Sequence, residues 1–172
     1  MARVITNLLI LAMLTLTSIL KAQDTQKKPC SEIEYSQFNF WIGEWNVYDT
    51  KDKLIGTSKV LKQHNACALQ ENWTSASSSS KGTSYSFYKK GDTTWNQVWV
   101  DNSGGSLFLK GEFTGNQMIL SSEFKEGKNG EFCDRITWTK KSDGSVTQVW
   151  DRVATDGSVI QQAFKGIYKK KE

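Results

Sequence analysis

The stretch Phe40-Trp41-Ile42-Gly43-Glu44-Trp45-Asn46-Val47 opens a series of short, aromatic-rich strands that continues to the C-terminus. It follows an apolar N-terminal segment and a short polar one. A glycine-tryptophan element at a first strand is typical of small closed β-barrels. The stretch therefore predicts the first strand, residues 41–49, of such a barrel.

Turn signals recur at regular spacing after this stretch, as at Lys90-Gly91-Asp92, Gly115-Asn116 and Asp156-Gly157. They separate runs rich in aromatic and β-branched residues, which favour strands. No segment keeps a helical period over three turns, so an α/β fold is not expected. About ten strands are predicted, at residues 41–49, 53–63, 67–76, 82–89, 94–101, 107–113, 117–124, 132–140, 145–154 and 158–169. This pattern indicates an all-β fold, an antiparallel sandwich or barrel.

The first 23 residues have the pattern of a secretory signal peptide. Arg3 precedes an apolar run over residues 8–20, and Ala22 lies in a stretch that resembles a cleavage region. The alternative is a membrane anchor, but the run is shorter than the roughly 20 residues that a spanning helix needs. We expect an exported protein, periplasmic or extracellular, with no integral membrane segment after signal cleavage.

The remaining chain is predicted to divide into a linker with a helical turn, residues 24–36, and a barrel domain, residues 37–172. The turn is expected near residues 31–38, because Ser31 can cap it and Glu34 follows at the capping-box spacing. A domain of this size can bury one substantial core.

Charge and composition point away from nucleic acid as a partner. Removal of Arg3 and Lys21 with the signal peptide lowers the formal net charge from +4 to +2. The remaining lysines are spread thinly apart from a short C-terminal run, so no basic patch is implied. We expect a monomer.

The three cysteines are Cys30, Cys67 and Cys133. Export favours an oxidising compartment, and one disulfide with one thiol left over fits that count. Three pairings are open on arithmetic alone. We favour Cys30 with Cys67, which would tie the segment before the barrel to the third strand. The alternative is that all three are reduced and Cys67 is a small core residue.

Tryptophans share strand faces with polar side chains, since successive residues of a strand point to opposite sides. An eight- to ten-stranded barrel can enclose a small ligand, and ligand sites combine aromatic walls with a few polar groups. The alternative is that these faces lie at wet strand ends, where tryptophans bury and polar groups meet solvent. The candidate interior ligand-binding residues are Glu71, Trp73, Gln97, Trp99, Asp134, Gln148, Trp150 and Arg152.

Residues 38–47 read F-N-F-W-I-G-E-W-N-V, and further characteristic stretches follow at residues 67–73, 82–86, 95–101 and 135–138. Together they resemble a bacterial exported family of unknown function with the motif F-[DN]-F-W-x-G-E-W-x-V and a lipocalin-like (calycin) barrel. The resemblance runs from Phe38 to the C-terminus. It implies a calycin-like fold and brings no established activity, cofactor or catalytic residue. Asn39 and Asn46 stand where such sequences often have aspartate, which favours a structural role there.

Cofactor and metal chemistry find little support in the residues. Haem iron needs an axial ligand such as histidine, and His64 is the only histidine. A metal at His64 and Cys67 would need a further ligand from elsewhere, such as Cys133. We therefore expect no cofactor and no metal site.

Three functions remain open. The favoured hypothesis is a protein that binds a small apolar or amphipathic molecule inside the barrel. A hydrolase-like enzyme that uses Glu71 and Asp134 as acid and base is an alternative, less favoured than binding. A structural or interaction module would instead have tryptophans that only pack, no pocket and an exposed apolar patch for a partner.

Overall fold

A computed structural model describes residues 28–128 and 130–171. Their strands form one antiparallel sheet that closes into a barrel. Each strand pairs with its neighbours in sequence, and the first strand pairs with the tenth to close the barrel. The strands are β1 Gly43–Tyr48, β2 Leu54–Gln63, β3 Ala68–Ser75, β4 Lys81–Lys89, β5 Thr94–Asp101, β6 Ser106–Thr114, β7 Gln117–Ser121, β8 Phe132–Lys140, β9 Val146–Ala154 and β10 Val159–Lys170. The predicted all-β barrel is confirmed, and its closed meander is compatible with a calycin fold.

The described residues contain three short 3-10 helices, and the first two differ from what the sequence predicted. The expected turn before the barrel is present as Ile33–Ser36, but Ser31 does not cap it. Glu32 holds the cap position without a side-chain hydrogen bond to the helix, so the capping-box prediction is wrong. A second 3-10 helix, Asn39–Trp41, occupies the predicted beginning of the first strand, which therefore begins at Gly43. The third 3-10 helix is His64–Ala66, between β2 and β3.

The seventh strand is shorter than predicted because the chain leaves the barrel wall after Ser121. The amide of Ser122 donates to the carbonyl of Asp134 at 2.8 Å, and Lys125 pairs with Phe132 in an isolated bridge. Residues 122–128, 130 and 131 therefore form a loop after β7 that lies beside the beginning of β8, where the pattern predicted strand to residue 124.

One end of the barrel is filled by rings from the segment that precedes β1. Phe38 stacks on Trp41 with ring centroids 5.0 Å apart and meets the edges of Trp95 and Trp138 at 5.7 and 5.2 Å. All four side chains are buried. Aromatic rings contribute large apolar areas and favour such tilted contacts. The segment before β1, residues 30–42, thus fills this end. We call this segment the plug and this end of the barrel the closed end. Leu69, Met118, Leu120, Val146 and Tyr168 extend the core from it.

A disulfide, a side-chain hydrogen bond and an ion pair are among the links that fasten the plug to the closed end. Cys30 and Cys67, the favoured pair, form a disulfide with Cα atoms 5.1 Å apart. Trp95 donates its indole N–H to Gln37 Oε1 at 2.9 Å, and Lys90 lies 3.0 Å from Glu32. Cys133 is a buried free thiol. The plug is therefore bonded to the barrel covalently as well as by packing.

The predicted signal peptide, residues 1–23, lies outside the described residues, as do residues 24–27 of the linker. The division of the chain at residues 23 and 36 stays a prediction. Within residues 28–128 and 130–171 there is no helix of the length and apolarity that a membrane crossing requires.

Candidate functional site

A cavity of about 570 Å³ occupies the barrel toward the end opposite the plug. Loop residues Ser78, Ser80 and Gly105 border it, so it opens between the loops of this end, which we call the mouth. All eight predicted interior residues line this cavity: Glu71, Trp73, Gln97, Trp99, Asp134, Gln148, Trp150 and Arg152. The structure thus brings the whole set together. That these residues bind a ligand stays a prediction.

Aromatic rings form the upper wall of the cavity, and two glycines make room for them. A Cβ atom on Gly82 would lie 2.1 Å from the Trp99 ring, and one on Gly56 would lie 2.3 Å from the Trp73 ring. Each glycine shares the inward face of its strand with buried serines, such as Ser84 beside Gly82. The two indoles therefore lie against the barrel wall at these glycines, in space that a side chain would otherwise fill. Trp150 and Phe164 complete this wall.

A polar layer forms the floor of the cavity above the closed-end core. Glu71 is 5% exposed and accepts hydrogen bonds from Ser58 Oγ at 2.8 Å and Ser84 Oγ at 3.2 Å. Burial raises the pKa of this carboxyl group to about 7, while the two serine hydrogen bonds lower it. Near neutral pH the floor therefore holds a glutamate that changes between its neutral and charged forms.

The other floor groups also find partners inside the protein. Gln97 donates to Ser86 Oγ at 2.8 Å, and the Tyr168 hydroxyl donates to Gln148 Oε1. Burial, with a smaller contribution from the Glu71 carboxylate, raises the pKa of Tyr168 well above its ordinary value near 10. Each of these floor groups therefore has a hydrogen-bond partner within the protein.

The pH dependence of stability tests the floor carboxyl group. The folded protein holds the Glu71 proton to a higher pH than the unfolded chain, so this group's contribution to stability falls as pH rises from about 4.5 to about 7. We expect Glu71→Gln to remove this loss. Relative to wild type, the free energy of unfolding of the variant should rise by about 3 kcal/mol across that window. Urea titrations at closely spaced pH values measure it.

Glu44→Gln is the matched control for this measurement. Glu44 is half exposed and paired with Lys59 at 2.7 Å, whose hydrogen bond and charge lower the pKa of Glu44. The effect of its substitution on stability lies below pH 4.5, so from pH 4.5 to 7 the free energy of unfolding of this variant should run parallel to that of wild type. A Glu71→Gln variant whose stability runs parallel to wild type from pH 4.5 to 7 would show that the Glu71 carboxyl group is not desolvated.

Asp134 organises the charges at the mouth. Its side chain is 2% exposed and accepts the Trp150 indole N–H at 2.7 Å. Lys125 lies 2.5 Å from Asp134 Oδ2, and Arg152 Nε lies 3.8 Å from Oδ1. Lys125 was not among the predicted site residues, because it belongs to the loop after β7, part of which was predicted as strand.

Phe164 and Tyr168 were also missed, although a signal was present. They lie four residues apart on the predicted last strand, so alternation places them on one face, and both line the cavity. The two glycines carried a weaker signal, since Gly56 and Gly82 alternate with small serines that face inward. A face of small residues opposite a tryptophan-bearing face indicates room for the rings.

The two carboxyl groups that the enzyme hypothesis needs both line the cavity, but each already accepts hydrogen bonds from other side chains. Two hydroxyls donate to Glu71, while Asp134 bonds an indole and an ammonium group. His64 lies in the 3-10 helix between β2 and β3, away from the residues that line the cavity. Among the described residues no group of three or more His, Cys, Asp or Glu side chains is placed to hold a metal ion.

No family model and no curated protein sequence matches this chain.

Proposed function

We infer that this protein binds a small apolar or amphipathic molecule inside its barrel. The observation that carries the proposal is a cavity of about 570 Å³ with aromatic walls above a polar floor. Ligand sites commonly have volumes of about 300–1,000 Å³ and combine apolar walls with a few polar groups. Trp73, Trp99, Trp150 and Phe164 offer flat apolar surfaces, while Glu71 and Gln148 offer hydrogen bonds at the bottom.

Export to the periplasm or the cell exterior is part of the same proposal. The signal-peptide pattern of residues 1–23 supports it, and the Cys30–Cys67 disulfide fits an oxidising compartment. The barrel also agrees with the resemblance to a lipocalin-like exported family. A monomer fits a barrel that needs no second chain to close its sheet.

The interaction-module alternative is less well supported by this geometry. It expects an interior filled by packed tryptophans, as at the closed end. At the mouth the rings lie against Gly56 and Gly82 instead and leave a cavity between them. A binding protein explains why the chain keeps both an aromatic wall and the space beside it.

Titration with N-phenyl-1-naphthylamine, a neutral fluorescent apolar probe, tests the proposal. We expect saturable binding of one probe per protein, with energy transfer from tryptophan to the probe. In Gly82→Ala the new methyl group must push the Trp99 ring toward the barrel axis, so the affinity should fall by at least about fivefold.

Gly91→Ala is the control for this titration. A Cβ on Gly91 meets no atom within 4 Å, so the probe affinity should stay unchanged. Equal affinities of wild type and Gly82→Ala would place the probe outside the cavity. Absence of saturable probe binding to the wild-type protein would contradict the proposed function.

A further inference from the structure

Positive charge is in excess on one side of the mouth. Lys125 and Arg152 both line the cavity, and their side chains are 50% and 42% exposed. The carboxylate between them is the nearly inaccessible Asp134. Two cations facing one anion leave one unit of positive charge toward the cavity opening. Partial exposure keeps both cationic groups within reach of an entering molecule.

These cations also retain unused hydrogen-bond donors. Lys125 gives one of its three N–H groups to Asp134 Oδ2, and an Arg152 terminal nitrogen donates to Gln161 Oε1 at 3.1 Å. Arg152 Nε is buried and has no hydrogen-bond partner among the described residues, since it lies 3.8 Å from Asp134 Oδ1. Because Nε is buried, an entering anionic oxygen meets instead the terminal N–H groups of Arg152, whose side chain is 42% exposed.

The other carboxyl groups in the cavity do not compensate this charge locally. Asp101 lies on β5, three strands from β8, and its Oδ1 accepts the amides of Ser103 and Gly105. Glu71 lies at the floor, and its buried carboxyl group would be a poor neighbour for a second negative charge. A ligand with an anionic head group is therefore favoured at the mouth and disfavoured at the floor.

On the basis of the proposed function, we propose that the ligand is an amphipathic anion. Its apolar part enters first and lies among Trp73, Trp99 and Phe164, while its anionic head group stays at the mouth between Lys125 and Arg152. Charge-assisted hydrogen bonds to the guanidinium and ammonium groups would hold the head group and set its orientation. Neutral and cationic molecules with the same apolar chain lack these bonds.

Displacement of N-phenyl-1-naphthylamine by three molecules with one chain length tests the proposal. Decanoate, decanol and decyltrimethylammonium differ only in head group and are used below their micelle concentrations. We expect decanoate to displace the probe with at least about tenfold higher affinity than decanol, and the cation to be weakest. Raising the ionic strength should lower the affinity for decanoate and leave the affinity for decanol unchanged.

Lys125→Gln removes one cation while Arg152 still faces Asp134. The preference for decanoate over decanol should fall by roughly fivefold, since the exposed half of the lysine limits its contribution. Lys110→Gln is the matched control: this lysine is 51% exposed and pairs with Asp92 at 3.1 Å on the outer face of β6. It should keep the wild-type preference.

The outcomes separate this inference from the proposed function. If the probe binds and decanol displaces it as well as decanoate does, the head-group inference is overturned and the binding function stands. If the probe does not bind to wild type, both are overturned. Should Lys125→Gln fail to fold, the order of the three molecules on wild type and its salt dependence decide the question.

Discussion

Trp41→Ala is expected to lower the free energy of unfolding by about 3–5 kcal/mol, the usual cost of removing a large buried aromatic side chain. Trp41 is completely buried. It stacks on Phe38 at 5.0 Å and lies 5.3 Å from the Trp138 ring. The substitution would leave a void where the plug meets the barrel, and several strands cannot collapse into it together. Urea denaturation followed by far-ultraviolet circular dichroism measures the effect.

Phe108→Ala serves as the control, because this ring is 67% exposed on the outer face of β6. We expect a change of about 0.5 kcal/mol or less there. A loss below about 1 kcal/mol for Trp41→Ala would mean that the segment before β1 does not plug the barrel in solution.

Removal of the disulfide is expected to cause the second large loss of stability. Cys30 and Cys67 are 37 residues apart in sequence, and closing a loop of that length stabilises by about 4 kcal/mol in the chain-entropy model. We expect a double variant, Cys30→Ser with Cys67→Ser, to lose about that much stability. The loss arises mainly because the unfolded chain gains freedom, so the folded barrel should keep its circular dichroism spectrum.

A reductant provides the internal control for the cysteine experiment. Dithiothreitol should lower the unfolding midpoint of wild type toward that of the double variant and leave the variant unchanged. Cys133 is free and buried, so its thiol should be alkylated only on unfolding. Alkylation of Cys30 and Cys67 in the native protein without reductant would contradict the pairing.

The barrel could be predicted because the signals for its strands and turns lie close together in the sequence. Turn residues at regular spacing separate the strands, and alternation assigns each strand an inner and an outer face. That rule placed Glu71, Gln97 and Trp150 in one interior, where the structure also has them. The same rule could have found Phe164 and Tyr168.

The features that the sequence did not reveal depend on contacts between distant segments. Lys125 reaches Asp134 only because the loop after β7 folds back on β8. The open space beside Trp99 depends on Gly82 in the neighbouring strand, where a ring and a missing side chain fit together. The first 3-10 helix begins after Glu32 with no side-chain hydrogen bond capping it, so the local Ser31-to-Glu34 spacing did not determine its beginning.

The central claim is that the mouth end of the barrel receives a small molecule. The most direct measurement is a crystal structure of the protein bound to N-phenyl-1-naphthylamine. We expect one probe molecule inside the barrel, between the rings of Trp99 and Trp150 and above Glu71. A probe bound only to the outer surface, or an interior closed by the tryptophan rings, would contradict the claim.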